Sequence, residues 1–142
     1  MNINEYFENF SNFENKIVVI AVKDDASRFA DRISFKEKFG LQMNIKYRNS
    51  YIAVIDPKRD FVYENVSKES YECSYQVKRK FIDIRSAGYD TGNAASIMRG
   101  SREFAPNRRG FNVAVFHYRT LALVDRFFVD LSGDSNLTVK RS

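Results

Sequence analysis

The sequence lacks most of the side chains that build cross-links and metal centres. Among its 142 residues there is one cysteine, Cys73, which excludes an internal disulfide and a zinc site made of several cysteines. There is also one histidine, His117, and its place after the apolar run NVAVF is more typical of a packed or sheet-edge histidine than of a catalytic one. We therefore predict a chain without a metal or a cofactor, in a reducing, cytoplasmic setting.

Long apolar runs are absent as well. No run reaches the roughly 18 residues that a membrane-spanning helix requires. The first ten residues, MNINEYFENF, are acidic and aromatic, and they lack the basic start and the small-residue cleavage site of a signal peptide. These absences predict a soluble chain with no membrane insertion.

The sequence also lacks long blocks of one charge. Its 23 lysines and arginines and 18 aspartates and glutamates give a net charge of +5, but the two signs are interspersed through most of the chain. The segments NRRG and LTVKRS concentrate positive charge. Neither interleaves it with the aromatic residues that a platform for single-stranded nucleic acid needs, so we predict no nucleic-acid partner.

The residues that are present predict one packed domain over residues 1–142. Hydrophobic residues make up 44% of the chain and aromatic residues 15%, which is enough for a single core. Apolar spacing predicts one helix over 4–13 and a second over 27–39 that ends at Gly40. Between them, KIVVIAV at 16–22 is a continuous β-branched run, typical of a central strand buried on both faces.

The remainder of the chain is dominated by strand patterns. Strands are predicted at 48–56, 60–66 and 80–86, then as two short strands around Gly100, and finally at 111–117 and 121–131. Residues 67–80 show no clean period. Because the pattern neither alternates strictly between strand and helix nor lacks helices, we predict an α+β fold, a sandwich of mainly antiparallel β-sheets with two or three short helices.

Two consecutive aspartates, Asp24 and Asp25, follow the first strand, and their position allows two interpretations. One of them caps the helix that is predicted to begin near Ser27, as aspartates before helices commonly do. Alternatively, one carboxylate faces a ligand at the end of the strand.

Three stretches of this sequence resemble motifs of the interleukin-like EMT inducer domain, also called the PANDER-like domain. These are VVIAVKDDASRFA, KYRNSYIAVID and RRGFNVAVF, and the resemblance covers roughly residues 4–134 with a gap near 60–80. In animal members the R-G-x-N-V half precedes the K-D-D half, whereas the order here is reversed, which resembles a circular permutation. The resemblance points to bacterial relatives attached to enzymes of surface-polysaccharide synthesis. Animal members carry disulfides, which this chain cannot form, so a cytokine-like role is not implied.

The family includes the carbohydrate-binding stem domain of an N-acetylglucosaminyltransferase that extends O-mannosyl glycans. By motif, the resemblance implies that the sugar-contacting positions are Asp24, Arg48 and Arg109. Adjacent pyranose hydroxyls lie about 2.8 Å apart, a separation that a carboxylate or a guanidinium fork bridges with two hydrogen bonds. The division of roles we expect is that Asp25 caps and Asp24 faces the ligand. The alternative is that the two arginines form a structural ion pair with Asp24.

Other polar and aromatic residues of these motifs are secondary candidates. Tyr47 and Tyr51 flank Arg48, and we expect one to stack on a sugar ring while core packing takes at least one of them. Asn112 is a further candidate contact, although turn or sheet-edge bonding is the default role for it and for Asn49. Gly110 is expected to allow a positive φ or a close backbone approach.

The leading hypothesis is a non-catalytic, lectin-like module that binds a glycan and supports a glycosyltransferase or a polysaccharide assembly system. Catalysis is not expected, because the sequence contains no G-x-x-x-x-G-K-[ST], G-x-S-x-G or H-E-x-x-H motif. The alternative is a protein-interaction or signalling module without sugar binding, which would expose an apolar patch and lack a small polar cleft. The sequence does not predict the sugar or the oligomeric state.

Overall fold

A computed structural model describes residues 1–141 and confirms the predicted α+β sandwich. It contains two short α-helices, α1 at Ile3–Glu8 and α2 at Phe35–Phe39. Nine strands make up most of the ordered structure: β1 at Lys16–Asp24, β2 at Ser50–Asp56, β3 at Phe61–Ser67, β4 at Tyr71–Val77, β5 at Lys80–Gly88, β6 at Ala94–Arg99, β7 at Arg102–Glu103, β8 at Gly110–His117 and β9 at Leu123–Val129.

Strand β1 lies at the centre of the fold. It pairs antiparallel with β2 on one edge and with β8 on the other, and β3 and β9 extend these two sides outwards. Strands β4 to β7 form a second antiparallel region. A short parallel pairing, Lys23 with Ala87 and Asp24 with Gly88, connects β5 to the end of β1 and makes the sheet mixed.

Both faces of β1 are buried, as the β-branched run predicts. Alternate residues Val18, Ile20 and Val22 pack in a cluster with the residues of α1 and α2. The opposite set, Ile17, Val19 and Ala21, packs against β5 and β6 in a second cluster. Burying a continuous apolar strand between two layers fixes its register, because a shift by one residue would exchange the two sets of side chains.

The two helices are shorter than predicted. Helix α1 begins with a capping box, in which Asn2 and Glu5 exchange hydrogen bonds, but it ends at Glu8 rather than at 13. The prediction of a helix over 27–39 is wrong for most of its length, which contains only a 3-10 turn at Ala30–Arg32 and α2. Tertiary hydrogen bonds replace the helical ones, from Phe29 N to the Leu131 carbonyl and from Ser34 N to Asn4 Oδ1. Gly40 ends α2 with a φ of 74°, as expected of a left-handed C-cap.

The segment without a clean period, 67–80, contains β4. This strand alternates half-buried tyrosines and Cys73 with exposed polar residues, and it forms a hairpin with β5. The predicted hairpin of β2 with β3, the turn at Gly100 and the strands β8 and β9 are confirmed. No helix within residues 1–141 is long and apolar enough to cross a membrane.

Candidate functional site

A depression forms at the end of β1, where its neighbouring strand changes. Residues Val18–Ala21 pair with β2, but Lys23 and Asp24 pair with β5 instead. The buried Ser86 hydroxyl sits at this fork, donating to the Val22 carbonyl at 2.6 Å and accepting from Tyr51 N at 2.9 Å. Because the strands diverge here, the surface opens into a depression of about 650 Å³.

Four of the five predicted site residues line this cavity, which we call the Asp24 depression. Its lining comes from the end of β1 and the segment that follows it, the loop before β2, the turn after β5, the loop before β8 and the segment after β9: Asp24, Asp25, Ser27, Arg28, Tyr47, Arg48, Tyr89, Arg109 and Ser132. Side chains that are far apart in the sequence therefore meet at one end of the central strand.

The carboxylate of Asp24 is available to a ligand. It is partly exposed, and no hydrogen-bond or ion-pair partner for it lies within residues 1–141. Asp24 has a φ of 67°, in the left-handed region that aspartate and asparagine tolerate better than most residues. This turn of the backbone ends β1 and presents the side chain at the depression.

The neighbouring Asp25 has a structural role that differs from the predicted one. It is buried, and its carboxylate accepts hydrogen bonds from Ser27 N at 3.2 Å, Ser27 Oγ at 2.8 Å and Arg48 N at 3.0 Å. The Ser132 hydroxyl donates to its backbone carbonyl at 3.1 Å. Since no α-helix begins near Ser27, Asp25 is not a helix cap but a tie between three segments of the depression.

Arg48 is positioned by its backbone and by two aromatic rings. Its φ of 57° is left-handed, and the hydrogen bond from its N–H to Asp25 holds this conformation. The guanidinium lies 4.8 Å from the Tyr47 ring centre and 4.2 Å from that of Tyr89, and it contacts Asp90 at 3.3 Å. Stacking on aromatic faces orients the fork of donors at little entropic cost.

Arg109 is held by a two-point ion pair with Asp130. Its Nε and Nη2 donate to the two carboxylate oxygens at 3.0 and 2.7 Å. Partial burial of Asp130 opposes its ionisation, but hydrogen bonds from Arg109 and from the N–H groups of Gly133 and Ser132 outweigh that effect and lower the pKa of Asp130. The hydrogen bonds that Arg109 itself donates to Asp130, together with the charge of that carboxylate, raise the pKa of Arg109. Gly110, with a φ of 99°, allows the backbone of Val129 to approach closely, as expected.

The observed ion pairs differ from the predicted alternative, in which Arg48 and Arg109 would form a structural ion pair with Asp24. Arg48 pairs with Asp90 and Arg109 with Asp130, and neither pairs with Asp24 within the described part of the chain. Each arginine is therefore oriented by its own aspartate, and the Asp24 carboxylate remains free.

The assignment of Asn112 as a ligand contact is corrected by its position. Asn112 is fully buried. Its Oδ1 accepts a hydrogen bond from Arg108 N at 2.9 Å, and its Nδ2 donates to the Arg108 carbonyl at 2.8 Å. The same Nδ2 also contacts the carbonyl oxygens of Ala21 and Gly110. It shapes the loop that precedes Arg109 rather than the depression. Asn49 likewise forms a turn, accepting from Lys46 N at 3.0 Å. Tyr51 belongs to the core, while Tyr47 is 67% exposed.

Sequence reasoning missed Tyr89, which lines the Asp24 depression, and its neighbour Asp90, which pairs with Arg48. They lie in the turn after β5, within the segment SAGYDTGNAA that was predicted to be a structured loop. A tyrosine between two glycines in a polar loop was the available signal, since such a ring has no local core to enter; the Tyr89 side chain is 51% exposed.

Within residues 1–141 no cluster of three or more histidine, cysteine, aspartate or glutamate side chains forms a candidate metal site.

No protein-family profile, curated protein sequence or solved structure matches this chain. The resemblance to the interleukin-like EMT inducer domain therefore remains a prediction from the three sequence motifs. The Asp24 depression combines a free carboxylate, two oriented guanidinium groups and two exposed aromatic rings. Such a set binds polar ligands that both donate and accept hydrogen bonds and that present an apolar face.

Proposed function

We propose that this protein is a non-catalytic carbohydrate-binding module whose ligand occupies the Asp24 depression. The observation that carries the proposal is the meeting of a free carboxylate, Asp24, with the oriented arginines Arg48 and Arg109 in one open cavity of about 650 Å³. That volume suits one or two sugar residues at the surface.

The chemistry of each residue fits a sugar hydroxyl array. The Asp24 carboxylate accepts two hydrogen bonds from adjacent hydroxyls, which a neutral sugar supplies and a phosphate group does not. Arg109 keeps the N–H donors that do not contact Asp130, and Arg48 keeps those not directed at Asp90. The exposed rings of Tyr47 and Tyr89 offer flat surfaces for the apolar face of a pyranose.

The burial of a second carboxylate supports binding without catalysis. Hydrolysis of a glycosidic bond usually requires two carboxyl groups that face the substrate from opposite sides. In the Asp24 depression the second carboxylate, Asp25, is buried and bonded to Ser27, Arg48 and Ser132. The polar character of the cavity also favours this proposal over the protein-interaction module, for which we expected an apolar patch without a polar cleft.

The relationship to the interleukin-like EMT inducer family and to glycosyltransferases or polysaccharide assembly is part of the proposal. A circular permutation requires that the two ends of the domain lie together. Here Ile3 N donates to the Leu137 carbonyl and Val139 N to the Met1 carbonyl, each at 3.0 Å. This proximity supports the permuted relationship, because joining such ends leaves the contacts of the core unchanged.

A glycan array, followed by calorimetric titration with the ligands it finds, tests the proposal. Asp24→Asn removes the charge while keeping a residue that tolerates the positive φ, and we expect affinity to fall by about tenfold or more. Asp31→Asn is the matched control, because Asp31 is exposed and lies outside the depression. Equal affinity in the wild type and Asp24→Asn, or no glycan ligand at all, would contradict the proposal.

A further inference from the structure

A second depression, of about 930 Å³, lies at the opposite end of the fold. It is formed where three turns meet: those between β4 and β5, between β6 and β7, and between β8 and β9. We call it the basic depression, and its lining is Ser74, Arg79, Lys80, Phe81, Asp83, Arg99, Gly100, Thr120 and Ala122. It flanks the amino end of β1, where Lys16 pairs with His117, about 26 Å from Asp24 along that strand.

The cations of the basic depression have no carboxylate partners. Arg79, Lys80 and Arg99 line it together with one carboxylate, Asp83, which accepts a hydrogen bond from Ser74 Oγ at 2.5 Å. No carboxylate oxygen of residues 1–141 lies within ion-pair distance of these three cations.

Neutral groups hold two of these cations in place instead. Lys80 Nζ donates to the Thr120 carbonyl at 2.9 Å, and Arg99 donates to the Leu121 carbonyl. The Arg99 guanidinium also lies 5.0 Å from the centre of the Phe104 ring. Carbonyl oxygens and rings orient a cation without cancelling its charge, so both groups retain free N–H donors and their full charge.

The same turns carry further uncompensated cations. Lys78, Arg102 and Arg119 are exposed and have no ion-pair partner in the described chain. Holding several like charges near each other opposes folding, and a bound anion relieves that repulsion.

We propose that the basic depression binds a phosphate-bearing ligand. Arginine forks match two oxygens of a phosphate, and a lysine adds a point charge, so Arg79, Lys80 and Arg99 together suit a diphosphate better than a single carboxylate. Phe81, which is 46% exposed at the same depression, offers an apolar surface for the organic part of the ligand. This chemistry is common to soluble phosphate esters and to phospholipid headgroups.

Calorimetric titration with inorganic pyrophosphate at low salt tests the proposal, together with sedimentation with phosphatidylcholine vesicles that either contain or lack phosphatidic acid. The variant is Arg79→Gln with Lys80→Gln. The control is Lys36→Gln with Lys68→Gln, which removes the same charge at exposed positions outside the depression. We expect the first pair to lower the affinity at least about tenfold and the control to change it less than about threefold.

The two probes distinguish the source of the phosphate. Binding of pyrophosphate that is lost in the Arg79 and Lys80 variant supports a soluble ligand, and binding only to vesicles with phosphatidic acid that is lost in the same variant supports a lipid headgroup. Arg79→Gln alone, at a side chain without a hydrogen-bond partner in the described chain, gives the same test if the double variant unfolds. Equal loss in the control pair, or no binding of either probe by the wild type, overturns the proposal.

Discussion

The Asp24 depression and the basic depression both contain arginines, but the guanidinium groups have different partners. At the carboxyl end of β1, Arg48 and Arg109 contact Asp90 and Asp130. At the amino end, Arg99 and Lys80 contact backbone carbonyls. Charge is therefore balanced within one depression and left uncompensated in the other.

This difference suggests two kinds of ligand. An arginine paired with an aspartate keeps its directional N–H donors but exerts little long-range attraction on a charged ligand. Such an arginine suits a neutral ligand that is recognised through hydrogen bonds. An arginine held by a carbonyl oxygen keeps its long-range field, which suits an anion. The partner of each guanidinium, rather than the number of arginines, distinguishes the two depressions.

The largest effect is expected from a substitution that disrupts the Asp24 depression and leaves the basic depression intact. A Cβ at position 88 would lie 1.9 Å from the Arg48 carbonyl oxygen, a backbone atom that cannot move without shifting the loop before β2. We expect Gly88→Ala to lower the free energy of unfolding by about 3 kcal/mol, measured by urea denaturation. Pyrophosphate binding at the other end should survive in the folded fraction.

Gly100→Ala is the matched control for this substitution. Gly100 lies in the turn of the basic depression with a φ of 61°, and a Cβ there would meet no atom within 4 Å. Only the conformational cost of about 1 kcal/mol is expected. If Gly100→Ala destabilises the protein as much as Gly88→Ala, the close approach at Arg48 is not the cause.

A smaller expected effect is a pH dependence of protein stability that arises at the Asp24 depression and not at the basic depression. The lowered pKa of Asp130 means that its ionised form stabilises the folded protein above the pKa of an unfolded aspartate, near 4. That contribution is lost as the pH falls through the lower folded value. We expect the wild type to lose stability as the pH falls from about 5 towards 2, and Asp130→Asn to be less stable at pH 7 by about 1 to 2 kcal/mol.

The measurement is thermal unfolding at a series of pH values. The difference between the wild type and Asp130→Asn should shrink in acid, because the wild-type carboxylate becomes protonated there. Asp83→Asn is the control at the basic depression, where the carboxylate contacts Ser74 rather than a cation. A difference that stays constant from pH 7 to pH 2 would show that the ion pair of Arg109 is not its source.

The sequence predicted the centre of the fold better than its helices. A strand with apolar residues on both faces has one stable environment, so KIVVIAV was sufficient to place β1 between two layers. The segment 27–39 has helical spacing, but Phe29 and Ser34 bond to distant residues, and such tertiary contacts are not visible in a local period. The alternation in β4 was present but was missed, because its inward positions are tyrosines and a cysteine rather than aliphatic residues.

The candidate site was predictable only in part, for a related reason. The motifs drew attention to Asp24, Arg48 and Arg109, which share one depression, but their partners Asp90 and Asp130 are 42 and 21 residues away from the arginines they contact. The basic depression was not predicted at all. Lys78, Arg79 and Lys80 are consecutive in the sequence, but Arg99 belongs to a different turn, so only the fold brings it beside them.

The smallest effect we predict concerns the aromatic rings of the Asp24 depression. Tyr89 is half exposed and stacks on Arg48, so removing its ring should leave stability nearly unchanged. Tyr89→Ala should weaken binding of the glycan identified by the array about threefold, since both the platform and the orientation of Arg48 are lost. Calorimetry measures this change, with pyrophosphate binding as an internal reference that should not move. Tyr89→Phe retains the ring and should bind almost as the wild type does; equal weakening in both variants would assign the contact to the hydroxyl group instead.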